Sequence, residues 1–132
     1  MASHYQLKVV TEFASAHTLR NYPGACSRLH GHNWKVETEA VATHLDAIGM
    51  AVDFKILKQA AREVGDRLDH YYLNDLAPFK ETNPTAENIA AYMYREIAAR
   101  INTDTIKLLA VTLWETERAC VRYSESEENE HV

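Results

Sequence analysis

The chain has 132 residues, 46% of them hydrophobic and 25% charged, which suits a single folded domain with a sizeable core. Its 14 Lys and Arg are dispersed among 19 Asp and Glu for a net charge of −5, so no basic run offers a grip on nucleic acid. No apolar run approaches the length of a bilayer span, and no basic segment followed by an apolar one opens the chain; the expectation is a cytoplasmic protein without a membrane segment.

The stretch YQLKVVTEF, residues 5–13, alternates in polarity and predicts a strand. WKVETEAVA, residues 34–42, alternates more cleanly and predicts its antiparallel partner. Between them residues 15–33 form a long connection containing NYPGAC; loops of that length in small domains usually serve function. From Asp53, a good N-cap, the period changes: Phe54, Leu57, Ala61, Val64 and Leu68 recur at helical spacing. A second helix starts in NPTAEN, where Thr85 caps, Glu87 sits in the first turn and Arg100 in the last. Its apolar stripe is Ile89, Tyr92, Met93, Ile97 and Ile101. IKLLAVTLWET and ACVRY then predict two strands around a tight turn at Glu117 and Arg118.

The order β-β-α-α-β-β most simply gives an α+β fold, a four-stranded antiparallel sheet with both helices on one face. The open edges of such a sheet invite a second chain, so an oligomer that continues the sheet is expected. One domain is expected over residues 1–123. The terminal SESEENEHV holds four glutamates, leaving the body near −1, and predicts an acidic, disordered tail over 124–132. Two cysteines make no disulfide framework: Cys120, within a short strand, reads as a small core residue, and Cys26 matters as a thiol if it matters.

The stretch CSRLHGHNW carries the densest chemistry. His30 and His32 are two apart, so in extended backbone both rings project to one side. His17, in FASAH, is expected just beyond the end of the first strand, and the second strand just after His32; pairing brings these ends together. Three neutral imidazoles suit Zn²⁺ and leave a fourth position open, the pattern of a catalytic site. Cys26 either fills that position, giving a closed structural site, or stands free as a base whose pKa the cation lowers. Asp69 and His70 in LDHYYLND read either as an acid–base pair or as an exposed helix-end pair. Glu115 in TLWET faces opposite to Trp114; an outward carboxylate is the simple reading. The alternative is a buried carboxylate that accepts two N–H groups from the guanidine-like edge of a purine or pterin.

FASAH, CSRLHGH, LDHYYLND, NPTAEN and WET occur together in the order and approximate spacing of the 6-pyruvoyl-tetrahydropterin synthase family, and the chain resembles most its bacterial 6-carboxytetrahydropterin synthase branch, which serves queuosine biosynthesis. The resemblance implies a tunnelling fold, whose subunits close into a trimeric barrel and stack as a homohexamer with active sites at subunit boundaries. It implies zinc on His17, His30 and His32, a catalytic set of Cys26, Asp69 and His70, and a pterin anchored by Glu115 with help from Thr85. Ala86 stands where some relatives carry a second hydroxyl residue. The implied substrate is 7,8-dihydroneopterin triphosphate, with Arg28 a candidate for its phosphates. The implied products are 6-carboxy-5,6,7,8-tetrahydropterin, acetaldehyde and triphosphate, with no redox cofactor. Two alternatives stand beside this: triphosphate elimination that keeps the side chain as 6-pyruvoyl-tetrahydropterin, and a non-enzymatic zinc module closed by Cys26.

Overall fold

The computed structural model describes residues 3–126. Strands β1 (Tyr5–His17) and β2 (His30–Ala42) are followed by helices α1 (Phe54–Asp66) and α2 (Ala86–Ile101), then by β3 (Ile106–Thr116) and β4 (Ala119–Tyr123). The four strands form one antiparallel sheet in the order β1-β2-β3-β4. α1 packs on β1, α2 packs on β3 and β4, and the helices meet each other, so the expected α+β architecture is the observed one.

Alternation explains which side the helices cover. Val9, Thr11 and Phe13 of β1 and Trp34, Val36, Thr38 and Ala40 of β2 are buried, while their neighbours along each strand are more exposed. Against this face α1 lays Leu57, Ala61 and Val64, and α2 lays Ile89, Met93 and Ile97, all at most 1% exposed. Each of the larger aliphatic side chains contributes roughly 1.5–3 kcal/mol on burial. The stripe of α2 differs from expectation at one position: Tyr94 is buried, its hydroxyl donating to the Leu108 carbonyl, whereas Tyr92 is only partly covered. Both helices start at their expected caps. Asp53 accepts from the Lys55 N–H at 2.8 Å, and Thr85 Oγ1 accepts from the Asn88 N–H at 3.1 Å.

Two sequence expectations are corrected and one open reading is decided. β1 continues four residues past Phe13 and β2 begins four residues before Trp34, so the connection shrinks to residues 18–29 and all three histidines lie inside paired strand. Cys120 is exposed, because it pairs with Trp114 on the side of the sheet away from the helices. Of the two readings of Glu115 the structure has the inward one: it shares the core-facing side with Leu113, two residues earlier, while Trp114 points away and stacks under the Lys35 ammonium at 4.7 Å.

At the β1 edge the chain supplies its own cover. The His70 N–H donates to the Ala14 carbonyl at 2.6 Å, and the Ala16 N–H donates to the Tyr71 carbonyl at 3.2 Å. Past β4, Glu125 pairs with Arg95 at 3.0 Å and accepts from the Tyr123 hydroxyl. Of the tail expected over 124–132, residues 127–132 lie outside the described residues.

Candidate metal centre

β1 and β2 stay in register to their ends: Phe13 lies opposite Trp34, Ser15 opposite His32, and His17 opposite His30. Directly opposed residues share a face, so all three imidazoles leave the sheet on its core-facing side. Their ring centroids are 4.4 Å (His17–His30), 5.2 Å (His17–His32) and 4.9 Å (His30–His32) apart. The buried Trp34 ring stands edge-on to His17 and His32 at 5.3 and 5.1 Å and keeps water from that side.

Hydrogen bonds fix which ring nitrogen faces inward. His17 Nδ1 lies 2.7 Å from the Pro84 carbonyl, and His30 Nδ1 lies 2.7 Å from the Arg28 carbonyl. A carbonyl only accepts, so both Nδ1 atoms carry the proton and both Nε2 atoms present a lone pair. His17 Nε2 and His32 Nε2 are buried without a hydrogen-bond partner. Leaving one such nitrogen orphaned costs about 1–3 kcal/mol, a cost that a bound cation removes.

Glu115 brings a carboxylate to the same cluster. Its Oε1 lies 3.0 Å from His32 Nε2 and 3.8 Å from His17 Nε2, without the alignment of a hydrogen bond. Donor atoms of His17, His30, His32 and Glu115 all fall within 4.8 Å of one another. Burial pushes the His17 pKa down; the Pro84 contact opposes this, the neighbouring imidazoles reinforce it, and Glu115 opposes it. Burial also pushes the His32 pKa down, against the pull of Glu115. Both rings are therefore neutral near pH 7, the state in which imidazole binds a metal. Orphaned nitrogens, neutral rings and a nearby carboxylate fit a single divalent cation.

The other expected residues are distributed around this centre. Cys26 lies on the backbone of a 3₁₀ turn, Ala25–Ser27, and Arg28 follows it, exposed, lending its carbonyl to His30. Asp69 and His70 sit beyond the end of α1. Asp69 Oδ1 accepts from the Ala14 N–H at 2.8 Å and Oδ2 meets His70 Nδ1 at 2.8 Å. The Ala14 N–H and the His70 contact hold the Asp69 pKa below the usual carboxylate range. His70 adopts φ of +63°, a left-handed conformation uncommon for a residue with a Cβ, and its side chain is 82% exposed. Neither residue joins the four converging donors; His70 and His32 instead line a shared shallow cleft of about 360 Å³. A second cleft of about 630 Å³ is lined by His32, Glu115, Lys35 and Trp114. Thr85 spends its hydroxyl capping α2, and the adjoining Pro84 touches His17.

Sequence reasoning missed Pro84 and the packing of Trp34 against the rings. Pro84 contributes a backbone carbonyl, which no residue type advertises, and only the chain's path brings it to His17.

The 6-pyruvoyl tetrahydropterin synthase family model matches residues 6–126. A Synechocystis protein named 6-carboxy-5,6,7,8-tetrahydropterin synthase is 38% identical over 90 residues, covering 64% of this chain and 68% of the relative. A Bacillus subtilis protein of the same name is 33% identical over 104 residues, covering 75% and 69%. Among solved structures, 6-pyruvoyl tetrahydropterin synthase of Caenorhabditis elegans superposes with a TM-score of 0.82 at 27% identity, over 95% of this chain and 98% of that one. The Plasmodium vivax enzyme, at 21% identity and a TM-score of 0.74 over 93% and 99%, shares the fold. Matched from β1 through β4 by a family model and built on the same fold, the chain belongs to the 6-pyruvoyl tetrahydropterin synthase family.

Proposed function

We propose that this chain is a zinc-dependent lyase that converts 7,8-dihydroneopterin triphosphate and water to 6-carboxy-5,6,7,8-tetrahydropterin, acetaldehyde and triphosphate, a step of queuosine biosynthesis. The observation that carries the reading is the pair of buried, unpartnered Nε2 atoms of His17 and His32, converging with His30 and Glu115. Support for the carboxy product comes from relatives that bear that name at 38% and 33% identity.

His17, His30 and His32 hold the ion, which when bound acts as a Lewis acid toward hydroxyls of the substrate side chain. Glu115, with its side chain 34% exposed at the margin of the cluster, offers two acceptor oxygens to the paired N–H groups of a pterin ring. Cys26, on the connection between β1 and β2, is the general base that moves a proton on the side chain. The Asp69 carboxylate keeps the His70 Nδ1 protonated and its Nε2 free to exchange a proton with the substrate. The 82% exposure of His70 supports an active site completed at a subunit boundary in a homohexamer. The Arg28 guanidinium is the candidate for the triphosphate.

Chelation is expected to abolish turnover of dihydroneopterin triphosphate, and zinc to restore it. Cys26→Ala is expected to remove turnover while zinc stays bound. Zinc lost together with Cys26 would instead support a structural module in which the thiolate closes the coordination shell.

A further inference from the structure

Two of the three clustered histidines, His17 and His30, have a defined Nδ1 partner, and they get it in different ways. His30 uses the Arg28 carbonyl, two residues back, whereas His17 uses the Pro84 carbonyl, 67 residues away in sequence. A contact that distant depends on whatever holds the two segments together.

Two asparagine side chains do so, and they repeat one pattern. Asn74 Oδ1 accepts from the Thr18 N–H at 3.0 Å while its Nδ2 donates to the Thr18 carbonyl at 3.0 Å. Asn83 Oδ1 accepts from the Arg20 N–H at 2.8 Å while its Nδ2 donates to the Arg20 carbonyl at 2.9 Å. Each side-chain amide thus takes the place of a peptide group in a neighbouring strand and grips alternate residues just past the end of β1. Asn83 is itself fixed: its carbonyl accepts from the Thr85 N–H at 2.8 Å and from Asn88 Nδ2 at 2.9 Å, at the capped start of α2. The Arg20 guanidinium donates to the Phe79 carbonyl at 2.7 Å and closes the same junction.

We infer that Asn83, backed by Asn74, is a positioning residue for the metal centre: its amide locks onto the Arg20 backbone and so sets the adjoining Pro84 carbonyl against His17 Nδ1, which keeps His17 Nε2 available as a ligand. The inference rests on reading His17 as a metal ligand. Partners that orient a ligating histidine typically change metal affinity 10–100-fold when lost. Asn83 does so at one remove, through the backbone, and Asn74 one step further.

The test measures zinc affinity of the full chain by chelator competition, alongside ¹⁵N imidazole spectra of the metal-free protein. Asn83→Ala is expected to weaken zinc binding about tenfold or more and to erode the Nδ1–H state of His17, with a smaller loss for Asn74→Ala. Asn83→Asp keeps the acceptor for the Arg20 N–H but sets an oxygen against the Arg20 carbonyl; it is expected to weaken zinc binding too, and it carries the test if the alanine variant does not fold. Asn102→Ala is the control: its amide accepts from the Leu108 N–H at 2.7 Å, outside this junction, and its zinc affinity is expected to match the parent. A folded Asn83 variant with parental zinc affinity and an unaltered His17 spectrum overturns the inference. A parent chain that binds no zinc overturns the ligand reading beneath it.

Discussion

At the level of single residues, His17 and His32 pair burial with a missing partner, and both properties are measurable. Their folded-state pKa values lie below the free value of 6.5, with burial the largest cause. As pH falls, the unfolded chain takes up these protons first. The metal-free protein is therefore expected to keep its stability above about pH 6.5 and to lose it as pH drops through the folded values. Asp69, lowered from 3.8, acts only in more acidic solution and leaves this window clear. Urea midpoints at about pH 7.5 and about pH 5.5 check the sign; a higher midpoint at the lower pH would contradict it. Glu115 is tested separately. Glu115→Gln presents an N–H₂ group to one of two substrate N–H donors, so a pterin ligand is expected to bind about 2–4 kcal/mol more weakly. A parental Kd would assign the carboxylate to the metal alone.

At the level of elements, Thr85 joins stability to the site, since its hydroxyl caps α2 while its neighbour Pro84 touches His17. Thr85→Ala is expected to cost about 1 kcal/mol, and so is Asp53→Ala at the start of α1. If Thr85 also contacts the pterin, its variant alone raises KM; equal KM values for the two variants would confine Thr85 to capping. Both caps, both helices and the bounds of β3 and β4 were legible because Thr, Asp and apolar periodicity act locally. The far halves of β1 and β2 were not. ASAH and HGHN carry little strand propensity of their own, and they are extended because each pairs with the other and because residues 69–72 seal the β1 edge. Cys120 departs from its sequence reading for a related reason: pairing opposite Trp114 in this short edge strand puts the thiol on the open face of the sheet. The histidine trio was readable from spacing, whereas the carbonyls and amides that orient it were not, since their identity lies in the path of the chain.

For the molecule as a whole, one side of the sheet is covered by helices, and the histidine cluster sits where β1 and β2 end and β3 delivers Glu115. The short β4 and the first half of β1 remain as edges at which a second copy can continue the sheet, which supports the proposed assembly. The exposed His70, which lines one cleft with His32, would then lie at the boundary between subunits. In the proposed reaction these parts act on one substrate, and the products decide between the carboxy and pyruvoyl outcomes. The most direct measurement is a product analysis of the zinc-loaded protein turning over 7,8-dihydroneopterin triphosphate, with acetaldehyde trapped and triphosphate quantified together. Acetaldehyde accumulating in step with triphosphate, alongside 6-carboxytetrahydropterin, is the predicted result; triphosphate released with no acetaldehyde trapped would contradict it.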